Sequence, residues 1–327
     1  MNESVAKEAV ILPVEMGKNG KLPEGDGRQA ILLTGASSQI GRCVLRRLDV
    51  ERRAVVAVGR RRLDGMAHSG AQFIECDLAQ QSISIPHILS SVVHIAGIWL
   101  LPPHIEALYD KGVRRIVCFS STSIYVKQES SNSGERDLVQ RMLAAEADIA
   151  QRCDALGIEW TVLRPTLVYG MGIDRNISRA ARFIRRFRCY PIAFGAEGLR
   201  QPVHADDLAD AALSALSMPS AVGRRYDVGG GETLPYREMI GRIFDTLGLP
   251  RLFLPLPFLE HAAAAAGILL NRPEVTGEMV RRMRRDLVCD NRPAANDLGY
   301  APRRFLAGGK TDLGLVSTND VDTRPVA

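Results

Sequence analysis

Along the first 170 residues, short apolar runs alternate with stretches whose apolar positions recur at helical spacing. Residues 30–34 (Ala-Ile-Leu-Leu-Thr), 54–58, 72–76, 91–96, 115–120 and 160–163 read as six strands. They are apolar almost throughout, as a strand must be when both its faces are covered. Between them lie a helix running to about Leu48 and a longer one over 135–156, with Leu138, Met142, Leu143, Ala145 and Ile149 on one face. Strands alternating with helices predict an α/β fold with a doubly wound parallel sheet. Beyond residue 170 the alternation fades. Helices are expected at 177–188, 206–217, 236–247, 259–269 and 277–285, forming a smaller, mostly helical C-terminal portion. The pattern divides the chain into a loose tail over 1–28, a sheet domain over 29–170, a second portion over 171–306 with sheet elements interleaved, and a loose tail over 307–327.

Charge adds little to this picture. The formal net charge is +5 and only six residues are lysine, so the excess is carried by arginine. Arginine suits bidentate contacts to phosphate or carboxylate, and it equally suits a solvated surface. No aromatic platform interleaves with the basic runs, so a nucleic-acid partner is not expected. The six cysteines form no CxxC pair and nothing resembles a secretion signal, which predicts reduced thiols in a cytoplasmic protein. The most apolar stretch, 252–270, contains Pro255, Pro257, Glu260 and His261 and makes a poor membrane span, so no membrane partner is expected. No spacing among histidines and cysteines suits a metal.

Chemistry enters at Thr34-Gly35-Ala36-Ser37-Ser38-Gln39-Ile40-Gly41, placed after a strand and opening a helix. Gly35 permits a tight turn, Gly41 lets the helix pack against the strand, and the helix N-terminus offers N–H groups to a pyrophosphate. Ser38 stands where the usual pattern has its middle glycine. Gly35, Ser37, Ser38, Gln39, Ile40 and Gly41 are therefore candidate dinucleotide contacts. The second strand ends in Gly59-Arg60-Arg61-Arg62 with no acid until Asp64. An acid there would bond a ribose 2′-hydroxyl, whereas Arg60 and Arg61 accommodate a 2′-phosphate, so NADP(H) is expected over NAD(H).

Further markers follow in order: Cys76-Asp77-Leu78, Val93-His94-Ile95-Ala96, Phe119-Ser120-Ser121-Thr122-Ser123-Ile124-Tyr125, Leu163-Arg164-Pro165-Thr166, Gln201-Pro202-Val203-His204-Ala205-Asp206-Asp207 and Asn296-Asp297-Leu298-Gly299-Tyr300. Over residues 30 to about 305 the chain resembles the extended and atypical branches of the short-chain dehydrogenase/reductase superfamily, of the NAD-dependent epimerase/dehydratase kind, with a Rossmann fold. The resemblance implies that Asp77 and Leu78 line the adenine and that Ala96 and Gly97 border the ribose and nicotinamide. It also implies that Pro165 and Thr166 close over the nicotinamide. Ser121 would polarise the substrate, while Arg200 and either Arg284 or Arg285 would meet a substrate diphosphate. Homodimers are common in the superfamily.

One departure stands out. Oxidoreductases of this family carry Tyr-x-x-x-Lys on the helix after the fifth strand, where the lysine charge lowers the phenol's pKa. Here Leu138 and Met142 fall at those positions, and no tyrosine in the chain is followed by lysine four residues later. Tyr125 and Lys127 are the replacement candidates, with Tyr169 and His204 expected to be structural. The leading expectation is an enzyme acting by hydride transfer on a nucleotide-diphosphate sugar or similar anionic metabolite. The rivals are a non-catalytic cofactor-binding sensor or assembly subunit, and a reductase of small apolar substrates using a different acid.

Overall fold

In a computed structural model, residues 30–60, 71–81, 85, 88–193, 195–256 and 277–315 are described. Six parallel strands, β1 (Ala30–Thr34), β2 (Val55–Gly59), β3 (Ala71–Glu75), β4 (Leu89–His94), β5 (Arg115–Phe119) and β6 (Glu159–Pro165), lie in the spatial order β3-β2-β1-β4-β5-β6. A seventh, Arg224–Val228, pairs parallel outside β6, with Tyr226 opposite Leu163. This doubly wound parallel sheet is the predicted architecture.

The period-two alternation of a strand decides which core each residue joins. Ile31, Leu33, Ala57, Val93, Val117 and Leu163 share one face with α1 (Gln39–Val50) and, later in the chain, the helix Ala205–Ser217. Leu32, Val56, Val92, Ile116 and Val162 share the other with α2 (Ile105–Asp110) and with Val139, Met142 and Ile149 of a long helix. Between these two helices lies α3 (Ser123–Val126), one short turn. The long helix is α4 (Ser133–Leu156), begun by the Asn132 side chain and ended by Gly157 at φ 67°. Because β1 leads to one face and β4 to the other, a crevice opens at their C-terminal ends, where such sheets bind ligands.

The second portion packs α5 (Ile177–Phe187) against a helix later in the chain through Ile177, Ala180, Ala181 and Ile184, in a third core. α6 (Ala205–Ser217) returns to the sheet, and α7 (Tyr236–Leu247) is the partner of α5. The chain therefore reaches the second portion and comes back: Arg224–Val228 completes the sheet domain from beyond residue 170. Its sequence, Arg-Arg-Tyr-Asp-Val, does not read as a buried strand. An edge strand covered on one face needs only Tyr226 and Val228 buried, and those two are.

Two expectations change. The tail expected over 307–327 is packed as far as the described residues go, with Asp312 and Leu313 buried. The helix expected over 277–285 is α-helical only for Gly277–Arg281, then a 3-10 turn over Arg282–Arg284. The helix expected at 259–269, the tail over 1–28, and Arg61 and Arg62 lie outside the described residues.

His94 ties the crevice together. It is 1% exposed, its Nδ1 bonds Thr34 Oγ1 at 2.9 Å, and its Nε2 bonds the Gly97 carbonyl at 3.1 Å. The carbonyl can only accept, so Nε2 carries the proton and the Thr34 hydroxyl donates to Nδ1. Burial pushes the His94 pKa from 6.5 down to about 4. The unfolded chain therefore takes up a proton first as pH falls, and stability present above pH 6.5 is lost between 6.5 and 4. Denaturant melts should show a loss of about 1.4 kcal/mol per pH unit in that window from this group. His94→Gln should be less stable at neutral pH by about 1–3 kcal/mol and flatter with pH; an unchanged slope would refute the assignment.

Candidate functional site

The turn after β1 is built by close backbone approach. Gly35 holds φ +68°, and a Cβ there would lie 2.7 Å from the Ala96 nitrogen. A Cβ on Gly41 would lie 2.4 Å from the Gly35 carbonyl oxygen and 2.7 Å from Ala36 Cα. Ser38 begins α1: its hydroxyl accepts from the Gly41 N–H at 3.0 Å, and its carbonyl accepts from Arg42 N at 2.9 Å. The serine that replaces a glycine is thus the helix cap. The Gln39 and Ile40 N–H groups are left at the positive end of the helix dipole, suited to an anion.

Above this turn the crevice holds two adjoining cavities. The smaller, about 290 Å³, is walled by Ile40, Ile95, Trp99, Phe119 and Met142, with Ala96, Gly97 and Pro165 along its sides. The larger, about 760 Å³, runs from Ser37, Ser38 and Gln39 to Tyr125, Lys127, Arg175 and Arg282. Ser121, Thr166 and Val168 line both.

Two buried polar atoms lack a partner among the described residues: Gln39 Oε1 and Ser120 Oγ. Gln39 lines the larger cavity and Ser120 the smaller. Orphaned buried polar atoms facing a crevice are groups a ligand would satisfy. With the helix N-terminus and the Gly35–Ala96 approach, they fit a dinucleotide.

Several expected site residues thus meet here. Ser37, Ser38, Gln39, Ile40, Ala96, Gly97, Ser121, Pro165 and Thr166 line the cavities, with Gly35 and Gly41 shaping the turn beneath. Ser121 Oγ accepts from the Ser123 N–H at 3.1 Å, which leaves its hydroxyl hydrogen to donate. Asp77 caps its own turn by accepting from Ala79 N at 3.1 Å. Leu78 packs on the α2/α4 core. Neither lines either cavity. Arg60 is exposed where β2 ends.

Tyr125 and Lys127 face the larger cavity and not the smaller one. The Tyr125 hydroxyl accepts from Arg164 at 2.6 Å and donates to Asp227 at 3.1 Å. Burial, then the nearby Asp227 charge, raises its pKa, so it is not primed as a base. Lys127 pairs with Glu135 at 3.2 Å, and Arg282 pairs with the same carboxylate at 2.7 Å. Burial alone would raise the Glu135 pKa, yet hydrogen bonds from Ser130 and Arg282 and the adjacent cations hold it low. Met142 lines the smaller cavity, while Leu138 packs into the core. Tyr169 and His204 are structural: the Tyr169 hydroxyl accepts from Leu306 N, and His204 Nδ1 accepts from Asp206 N.

The expected diphosphate arginines are placed differently. Arg200 is 4% exposed, and its guanidinium donates to the carbonyls of Leu199, Arg282 and Arg285. It lines neither cavity, and burial draws its pKa down to about 10. Its donors are consumed in holding the 282–285 segment. Arg284 and Arg285 are exposed and also line neither cavity. In this segment the arginine that reaches the larger cavity is Arg282. The sequence could not distinguish it, because a 3-10 turn with three residues per turn changes which of three neighbouring arginines faces inward. Among the described residues no cluster of His, Cys, Asp and Glu could hold a metal.

A family model, the NAD dependent epimerase/dehydratase family, matches residues 104–229. UDP-glucose 4-epimerase of Vibrio cholerae is 24% identical over 211 residues, covering 61% of this chain and 62% of that protein. The mitochondrial NADH dehydrogenase (ubiquinone) 1 alpha subcomplex subunit 9 of Arabidopsis thaliana is 27% identical over 177 residues, covering 50% of this chain and 44% of that protein. The matches therefore span less than two thirds of the length of these two relatives. The solved structure of MoeE5 in complex with UDP-glucose and NAD shares the fold, with a TM-score of 0.67 at 21% identity over 90% of this chain and 100% of that one. The family model thus covers 126 of the 327 residues, and the likeness to the solved structure, at 21% identity, is one of fold.

Gly41→Ala should force the turn away from β1. We expect it to weaken dinucleotide binding by roughly tenfold or more and to cost about 1–3 kcal/mol of stability. Fluorescence titration with NADH and NADPH and a denaturant melt check both; a variant unchanged in both would refute the close approach.

Proposed function

We propose that the protein binds NADP(H) and carries out hydride transfer on a nucleotide-diphosphate sugar or similarly anionic metabolite. The observation that carries this reading is the shared wall. An apolar cavity beside the dinucleotide turn opens, across Ser121 and Thr166, into a larger cavity bearing Lys127, Arg175 and Arg282. Apolar surroundings suit the uncharged ring of a reduced nicotinamide, and the cations suit phosphates.

A bound nicotinamide dinucleotide supplies the capacity to give or take a hydride. The chain supplies the rest. The Gln39 and Ile40 N–H groups receive the pyrophosphate, Ile95, Phe119 and Met142 exclude water, and Ser121 donates its hydroxyl hydrogen to a substrate oxygen. Arg60 and Arg61 favour the 2′-phosphate. Lys127 and Arg282, presented by Glu135, orient the anionic end of the substrate. With Met142 on the wall of the smaller cavity and Tyr125 engaged by Arg164 and Asp227, Ser121 is the polar side chain common to both cavities best placed for proton exchange.

A second reading, cofactor binding without turnover, draws on Met142 and Leu138 at the positions where the Tyr-x-x-x-Lys pair is expected. The likeness to a subunit of an NADH dehydrogenase assembly is compatible with it. NADPH turnover against sugar nucleotides and ketones separates the two readings. The enzyme reading expects turnover that falls about 100-fold in Ser121→Ala with cofactor binding intact. Tight binding with no turnover across the panel supports the second reading. For cofactor choice, Arg60→Ala with Arg61→Ala should weaken NADPH by roughly tenfold or more and NADH far less; equal losses would refute the preference.

A further inference from the structure

The segment from Arg175 to Ala196 carries six arginines and no aspartate or glutamate. Most of it is α5, which buries Ile177, Ala180, Ala181 and Ile184 against the core it shares with α7. Arg182, Arg185 and Arg186 stand at i, i+3 and i+4 on the opposite, exposed side, and Arg188 follows at the C-cap. None of these four meets a carboxylate among the described residues; Arg182 donates instead to the Gly172 carbonyl. Elsewhere the chain behaves otherwise: Arg152 pairs with Asp148 and Arg242 with Glu238, each at i, i+4. Like charges at these spacings disfavour a helix, so an unpaired arginine face is a standing cost in the free protein.

The same end of the helix exposes large apolar groups. Phe187 is 57% exposed, Leu252 51% and Leu254 41%. They are linked through Phe183 and Tyr190. The Phe183 ring contacts Phe187 at 4.6 Å and Tyr190 at 5.8 Å, and the Tyr190 N–H donates to the Leu252 carbonyl at 2.9 Å. The short strand Phe253–Leu256 then runs parallel beside Tyr190–Ala193.

We propose that this face, the arginine side of α5 with Phe187, Leu252 and Leu254, docks on an anionic phospholipid bilayer. Arginines in the headgroup layer next to apolar tips that enter the acyl boundary are what an interfacial surface requires. A nucleic acid would also attract the arginines and could stack on Phe187, but the aliphatic Leu252 and Leu254 beside it offer no ring for a further base and suit an acyl boundary instead. No helix among the described residues is long and apolar enough to cross a membrane; the docking proposed is at the bilayer surface. The sequence predicts no membrane partner because 252–270 makes a poor span, and an interfacial surface needs no span.

The test is co-sedimentation of the full chain with vesicles of phosphatidylcholine alone and of phosphatidylcholine mixed with phosphatidylglycerol. Binding is expected only to the mixed vesicles, and it should be released at about 1 M salt, where the screening length falls to about 3 Å. Arg185→Glu with Arg186→Glu should reduce partitioning by roughly tenfold or more. Phe187→Ser should weaken the binding that persists at moderate salt. Circular dichroism melts and dinucleotide titration establish that the variants are folded. The proposal fails if the folded wild type ignores the mixed vesicles or binds both kinds alike. It also fails if the double variant binds unchanged, or if a DNA duplex binds more tightly than the mixed vesicles and displaces them.

Discussion

The structure turns on how closely the backbone of the first βα turn approaches the end of β4. Gly35 and Gly41 let three stretches of main chain meet where a single added methyl would overlap backbone atoms by most of an ångström. Thr34 and His94 then fasten β1 to the loop that carries Gly97. The direction of α1, the floor of the smaller cavity and the placement of Ser38 as a helix cap all follow from that contact. Its parts are backbone, and the burial of His94 beside it keeps that imidazole neutral.

Much of this was legible in the sequence, for a physical reason. Strands buried on both faces must be apolar throughout, and a turn that meets phosphate must be small, so β1, β2, β4, β5 and the Gly35–Gly41 turn declare themselves. What stayed hidden depends on distant neighbours. Arg224–Val228 joins the sheet at its edge, where polar residues are tolerated. Arg200 looks like a ligand arginine until the 282–285 backbone is seen to consume its donors. Asp312 and Leu313 look like tail until they are found packed.

The two cavities divide the chemistry by polarity. In the smaller cavity the wall is aliphatic and aromatic, with the hydroxyls of Ser121 and Thr166 on the seam that the two cavities share. On the other side, Glu135 gathers Lys127 and Arg282 and so connects the start of α4 to the segment after Gly277. An anion taken up there would compete with Glu135 for both cations, and ligand binding would thereby be felt by two elements far apart in sequence.

The late return of Arg224–Val228 to the sheet has a consequence for how the chain is made. β6 leaves the ribosome with its outer edge unpaired, and about 60 residues must follow before the strand that covers it is available. Arg115 on β5 likewise waits for the carbonyls of Ala215 and Met218. The sheet is therefore completed only after the later part of the chain has been made. Its topology is rich in contacts between residues far apart in sequence, which slows folding and leaves a sticky edge open to neighbouring chains. Cutting the chain at the apparent domain boundary near residue 170 would make that transient exposure permanent.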